Sequence, residues 1–129
     1  MQRRPTAGPD LPAEKKKRGE PRAPRLSHNV YVVELAPAVL ADRRFRRRNP
    51  GYVEGQPCVY VGMTGLAVAA RFANHKRGHK GNAFVLKHGT RLLPELFAHL
   101  NPMPYEAAVT MECELAEDLR QKGYGVWQA

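Results

Sequence analysis

The sequence predicts a small α/β domain with three strands, on three observations. Residues 28–129 alternate short runs rich in β-branched and aromatic residues with longer runs at helical spacing. The connection between the first two strands is broken by prolines and glycines and holds no long crossover helix, so those strands are expected to pair antiparallel. Residues 1–27 carry too little apolar surface to offset their ordering entropy, and read as a disordered basic tail ahead of a single domain spanning 28–129.

Taken in order, "HNVYVVEL" at residues 28–35 has the composition of a strand. Residues 36–57 form a long basic insertion with a short helical turn around Ala38 to Phe45, and five arginines fall among residues 43–48. Cys58 to Val61 is the second strand, which Gly62 ends so that the chain can turn. From Leu66 to about Arg77 the spacing is helical, with Leu66, Ala69, Ala70 and Ala73 as the apolar face and Arg71 and His75 together on an adjacent one. "AFVLKHG" reads as a helical turn closed by Gly89, and "TRLLPELF" as a third strand whose Pro94 places it at an edge or bulge. A final helix runs from Pro104 to a stop at Gly123, followed by "YGVW".

Charge narrows the partners. The formal net charge is +9, and the tail accounts for eight basic residues less three acidic, or +5. Such a balance favours a polyanion, with nucleic acid the usual one. Arg43, Arg44, Arg46, Arg47 and Arg48 in the insertion and Lys76, Arg77 and Lys80 after the first long helix are the candidate contacts, with a solvated loop as the plain alternative. No apolar run is long enough to span a membrane and no signal-peptide core is apparent. Cys58 and Cys113 match no metal spacing, which fits a reducing, cytoplasmic setting, nucleoid-associated in a bacterium. The run Lys15 to Arg18 is either a solvated arm or, in a eukaryote, a nuclear address.

The last helix holds an anomaly. Glu112 falls within the stripe of Ala108, Leu115 and Leu119, whereas Glu114, Glu117 and Asp118 lie toward the other face. A carboxylate on the core side costs several kcal/mol unless a cation or strong donors replace its water, so Glu112 requires a basic partner or a metal ion. Tyr31, Tyr60, Arg71, His75 and Glu112 together could supply what phosphodiester hydrolysis needs: a proton acceptor, a fixed cation facing phosphate, and an oxygen ligand for a hard divalent ion.

"NVY" at 29–31, "YVG" at 60–62, Arg71 and His75 in the following helix and Glu112 in a later one, in that order, resemble the GIY-YIG nuclease domain across residues 28–127. The resemblance implies a central antiparallel three-stranded sheet flanked by helices, and cleavage of DNA with Mg²⁺ or Mn²⁺. It implies Glu112 as the single protein ligand to the metal and Arg71 as the group that stabilises charge on the phosphorus. It also implies Tyr31 as base and Tyr60 as orienter, with His75 placed to accept the Tyr31 proton.

Departures from that pattern are specific. Asn29 and Val30 replace glycine and isoleucine, Met63 stands where many members have a lysine that Lys76 or Lys80 would have to replace, and Tyr124 lies near a usual asparagine. The gap from Tyr31 to Tyr60 is also longer than in minimal members. A nucleic-acid-binding module with this fold and little or no turnover is the alternative, and a protein whose tail docks an acidic subunit is a third. RNA is an open substrate, and one small domain predicts weak sequence specificity unless residues 36–57 or dimerisation add it.

Overall fold

A computed structural model describes residues 23–79 and 81–129; residues 1–22, most of the expected tail, and Lys80 lie outside the described residues. The elements are β1 (Asn29–Leu35), α1 (Arg43–Arg47), β2 (Cys58–Thr64), α2 (Val68–Lys76), α3 (Ala83–His88), β3 (Gly89–Leu92), α4 (Tyr105–Gln121) and β4 (Gly125–Gln128). Their sheet order is β3-β1-β2-β4.

The sheet has four strands rather than three, and it is mixed. β1 pairs antiparallel with both β2 and β3, while β4 runs parallel to β2 with Tyr60 beside Trp127 and Val61 beside Gln128. A parallel pair requires a crossover, and the chain from β2 through α4 supplies one. The four residues of β4 are too few to show a strand period. β3 is shorter than "TRLLPELF", because Pro94 cannot continue the ladder and instead opens a 3₁₀ turn, Pro94–Leu96.

Valines at 30, 32, 33, 59, 61 and 126 are buried in both faces of the sheet, each contributing roughly 1.5–3 kcal/mol when fully removed from water. α4 lies against β2, β4 and β1 with Ala108, Glu112, Ala116 and Leu119 turned inward. Gln128 alternates to the face opposite Trp127 and its amide nitrogen lies 3.1 Å from Cys113 Sγ, so α4 backs the face away from Tyr31 and Tyr60. Among the described residues no helix is long and apolar enough to cross a membrane.

Two asparagine side chains act as strand substitutes at the sheet margins. Asn101 Nδ2 donates to the Val30 carbonyl at 2.7 Å and its Oδ1 accepts from Val30 N–H at 2.8 Å, beside the part of β1 that β3 does not reach. On the far margin Asn49 Oδ1 accepts from Val126 N–H at 2.8 Å and Nδ2 donates to the Val126 carbonyl at 3.0 Å. Such caps satisfy edge groups that would otherwise template another strand. Asn49 also anchors the 36–57 connection, together with fully buried Phe45 and a 2.9 Å bond from Val53 N–H to the Gly123 carbonyl. That connection contains a 3₁₀ turn, Pro37–Ala41, and α1, which Asp42 caps by accepting from Arg44 N–H at 2.8 Å.

α2 presents a face other than the expected one. Ala69, Ala70 and Ala73 are exposed and Leu66 is half-exposed, while Val68, Arg71, Phe72 and His75 turn toward the sheet at helical spacing. Val68 and Phe72 bury more apolar area than three alanines can, and they carry the two polar residues inward with them.

Gly62 does not end β2, which continues to Thr64. Its lack of a side chain makes room for rings: a Cβ there would lie 2.7 Å from Tyr31 Oη and 2.9 Å from Tyr60 Cε2. Gly62→Ala is therefore expected to destabilise the fold by about 1–3 kcal/mol, as overpacking of a filled core does. Urea unfolding would read this as a lower midpoint at unchanged slope; an unshifted midpoint would mean that the two rings are free to move aside.

Candidate active site

Strand alternation puts Tyr31, Gly62, Tyr60 and Trp127 on one face, with Tyr31 opposite Gly62 and Tyr60 opposite Val33. Both tyrosines are buried and their ring centroids are 6.1 Å apart. α2 lays His75 across them, its ring 6.0 Å from Tyr31 and 5.4 Å from Tyr60, edge-on to the latter.

The proton on His75 can be placed by its partners. Asn82 N–H donates to Nδ1 at 2.9 Å, and Nε2 lies 2.8 Å from Tyr31 Oη. A nitrogen that accepts from a backbone N–H carries no proton, so the neutral ring is protonated at Nε2 and donates to Tyr31. This reverses the role expected of His75, since Tyr31 receives a hydrogen bond from it. Gly81 lets the loop approach this closely, because a Cβ there would lie 2.9 Å from His75 Cα. Neither Gly81 nor Asn82 stood out in the sequence; the only signal was their place in the basic tract after α2.

Electrostatics follow from burial. His75 is fully buried and its pKa falls to about 4, with desolvation the main cause and the charge of Arg71 acting in the same sense. Desolvation raises the Tyr31 pKa, against which Arg71 acts through its charge and a hydrogen bond, and Tyr60 through a hydrogen bond. Tyr60 is also driven up, first by burial and then by the charge of ionised Tyr31 and its hydrogen bond. The Tyr31 oxygen faces donors on several sides, which favour its ionised form.

Glu112 is 8 % exposed, and among the described residues its Oε2 has no hydrogen-bond partner. Burial raises its pKa, and its charge raises those of both Tyr31 and Tyr60, so it acts on the same site from the α4 side. Among the described residues β4 covers β2 only from Cys58 to Val61, leaving Gly62–Thr64 without a strand on that side. Among the described residues no three His, Cys, Asp or Glu gather as a complete metal cage. One buried oxygen without a donor still fits a hard divalent ion that takes the rest of its shell from water and phosphate.

His75 and Glu112 give opposite pH dependences. The His75 pKa is depressed, so its contribution to stability is complete above about 6.5 and is lost as pH falls toward 4. The Glu112 pKa is raised, so its contribution is complete below 4.5 and is lost as pH rises through the folded value. The wild-type profile is their balance, and substitution separates them. His75→Asn is expected to remove a positive slope of up to about 1.4 kcal/mol per pH unit between pH 4 and 6.5, measured as urea stability against pH. An identical slope in the variant would assign that titration to another group.

The basic candidates divide by their partners. Arg44 pairs with Asp42 at 2.9 Å and lies over the Phe84 ring, Arg46 donates to the Leu40 carbonyl at 2.8 Å, and Arg48 lies over Trp127 at 4.6 Å. Lys76 Nζ donates to the Gly89 carbonyl at 2.8 Å, and Arg77 bonds the Asn74 side chain. Among the described residues Arg43 and Arg47 have no such partner. Met63 is half-buried against the core.

The chain is thus an α/β protein with a mixed four-stranded sheet whose inner face holds a buried tyrosine–histidine pair beside an arginine. No family model, curated protein or solved structure matches it.

Proposed function

We propose that this chain is a metal-dependent endonuclease that hydrolyses DNA phosphodiester bonds, with Mg²⁺ or Mn²⁺ as its cofactor, in the manner of the GIY-YIG nucleases it resembles. The observation that carries this reading is the orphaned, buried oxygen of Glu112 acting on the same two phenols that His75 and Arg71 surround.

Glu112 would hold the ion, which supplies charge stabilisation at the phosphate oxygens. Arg71 would face the phosphate as a fixed cation, worth more from a partly buried position than in water. Tyr31, once ionised, takes a proton from the attacking water as the new P–O bond forms and the bond to the leaving oxygen breaks. His75 Nε2–H and Tyr60 donate to the Tyr31 oxygen and so favour the ionised form.

The test is plasmid and single-stranded DNA incubated with Mg²⁺, Mn²⁺ or EDTA, with RNA in parallel. Metal-dependent cleavage that Arg71→Ala reduces about 10²- to 10³-fold is expected. Tight binding with no cleavage under any metal would overturn the reading in favour of a binding module.

A further inference from the structure

We infer that the cavity between α1 and β4 is a subsite for one unpaired nucleotide of a single strand, its base stacked over the Arg48–Trp127 pair and its phosphate held by Arg47. The inference rests on the nuclease reading only for where the scissile phosphate lies.

The cavity has a volume of about 270 Å³ and is lined by Arg44, Arg47, Arg48 and Trp127. Room of this order takes one base and its phosphate, not the width of a duplex. Arg48 lies 4.6 Å above the Trp127 ring, and Phe84 packs against that ring with centroids 4.4 Å apart. Phe84 thereby holds the indole from one side, and the guanidinium over the ring belongs to an exposed residue whose outer side is open as a ledge. Bases stack on guanidinium planes as they do on aromatic rings, and only an unstacked base has a face to offer.

Charge and position complete the argument. Asp42 offsets Arg44, whereas Arg47 has no partner among the described residues and is available to an anion. Trp127 stands directly beside Tyr60 in the β2–β4 register, one strand spacing of about 4.8 Å away. A strand whose scissile phosphate lay at Tyr60 would bring its neighbouring nucleotide to this ledge. An acidic peptide would use the arginines but gain nothing from the ring.

Trp127 is the only tryptophan, so its fluorescence reports the site directly. Full-length protein in EDTA would be titrated with an oligothymidine, a blunt-ended duplex without a loop, tripolyphosphate and polyglutamate, with binding followed separately by anisotropy. Saturable quenching by the oligothymidine, well beyond that by the other three, is expected. Arg48→Ala should weaken oligothymidine binding about 5- to 100-fold, and Arg47→Ala should lower the salt slope by about one. Equal quenching by tripolyphosphate, polyglutamate or duplex would overturn the subsite, as would oligothymidine that binds without quenching. Cleavage with Mg²⁺ scores the two ideas apart: cleavage without quenching removes the subsite alone, and quenching without cleavage removes the nuclease reading alone.

Discussion

Glu112→Gln is expected to abolish metal-dependent cleavage while making the fold more stable. The substitution keeps the shape but removes a buried charge whose Oε2 has no partner among the described residues, so stability at neutral pH should rise by on the order of 1 kcal/mol. Loss of the anion that holds the divalent ion should cost at least about 10²- to 10³-fold in rate. Thermal unfolding with and without Mn²⁺ gives a readout independent of turnover. The ion should raise the wild-type melting temperature by mass action and leave the variant unmoved. A variant that melts several degrees lower and ignores metal would instead make Glu112 half of a structural ion pair.

Tyr31→Phe should reduce single-turnover cleavage about 10²- to 10⁴-fold, the range for removing a positioned proton acceptor. Tyr60→Phe should cost less, because Tyr60 serves as a donor to the Tyr31 oxygen. With the Tyr31 pKa above 10, the reactive ionised form is a minority at neutral pH and grows tenfold per unit. The wild-type rate should climb through pH 7–10 without a plateau, and Tyr31→Phe should flatten the climb. Tyr31→Phe also leaves His75 Nε2–H buried without an acceptor, at a cost of about 1–3 kcal/mol in stability. A rate that follows Tyr60→Phe more closely than Tyr31→Phe would exchange their roles.

Much of this was legible because it rests on short-range pattern. The inward placement of Glu112 followed from helical spacing, and β1 and β2 from their composition. The face of α2 was misread because alanines at helical spacing look like a core stripe, while Val68 and Phe72, which bury more area, set the rotation. β4 was missed because it is short and pairs with a strand more than sixty residues earlier, a contact that no local window contains. The hydrogen-bond direction between His75 and Tyr31 depends on Asn82 N–H, a backbone group that every sequence has and only a fold can aim. Likewise, five clustered arginines read alike until Asp42, Leu40 and Trp127 claim three of them.

The asparagines at the sheet margins have a bearing on how the protein ages. Asparagine deamidates chiefly when the backbone nitrogen of the next residue attacks the side-chain carbonyl and closes a succinimide ring. Asn49 is followed by Pro50 and Asn101 by Pro102, whose nitrogens carry no hydrogen to lose. Each side chain acts as both donor and acceptor against a strand, and conversion to aspartate would delete the donor and place a negative charge beside a carbonyl. The residues that close the sheet are thus the asparagines this chemistry reaches least easily, whereas Asn82, followed by alanine, has no such protection. In stored protein, chemical wear at asparagine should reach the histidine that faces Tyr31 before it reaches the margins of the sheet.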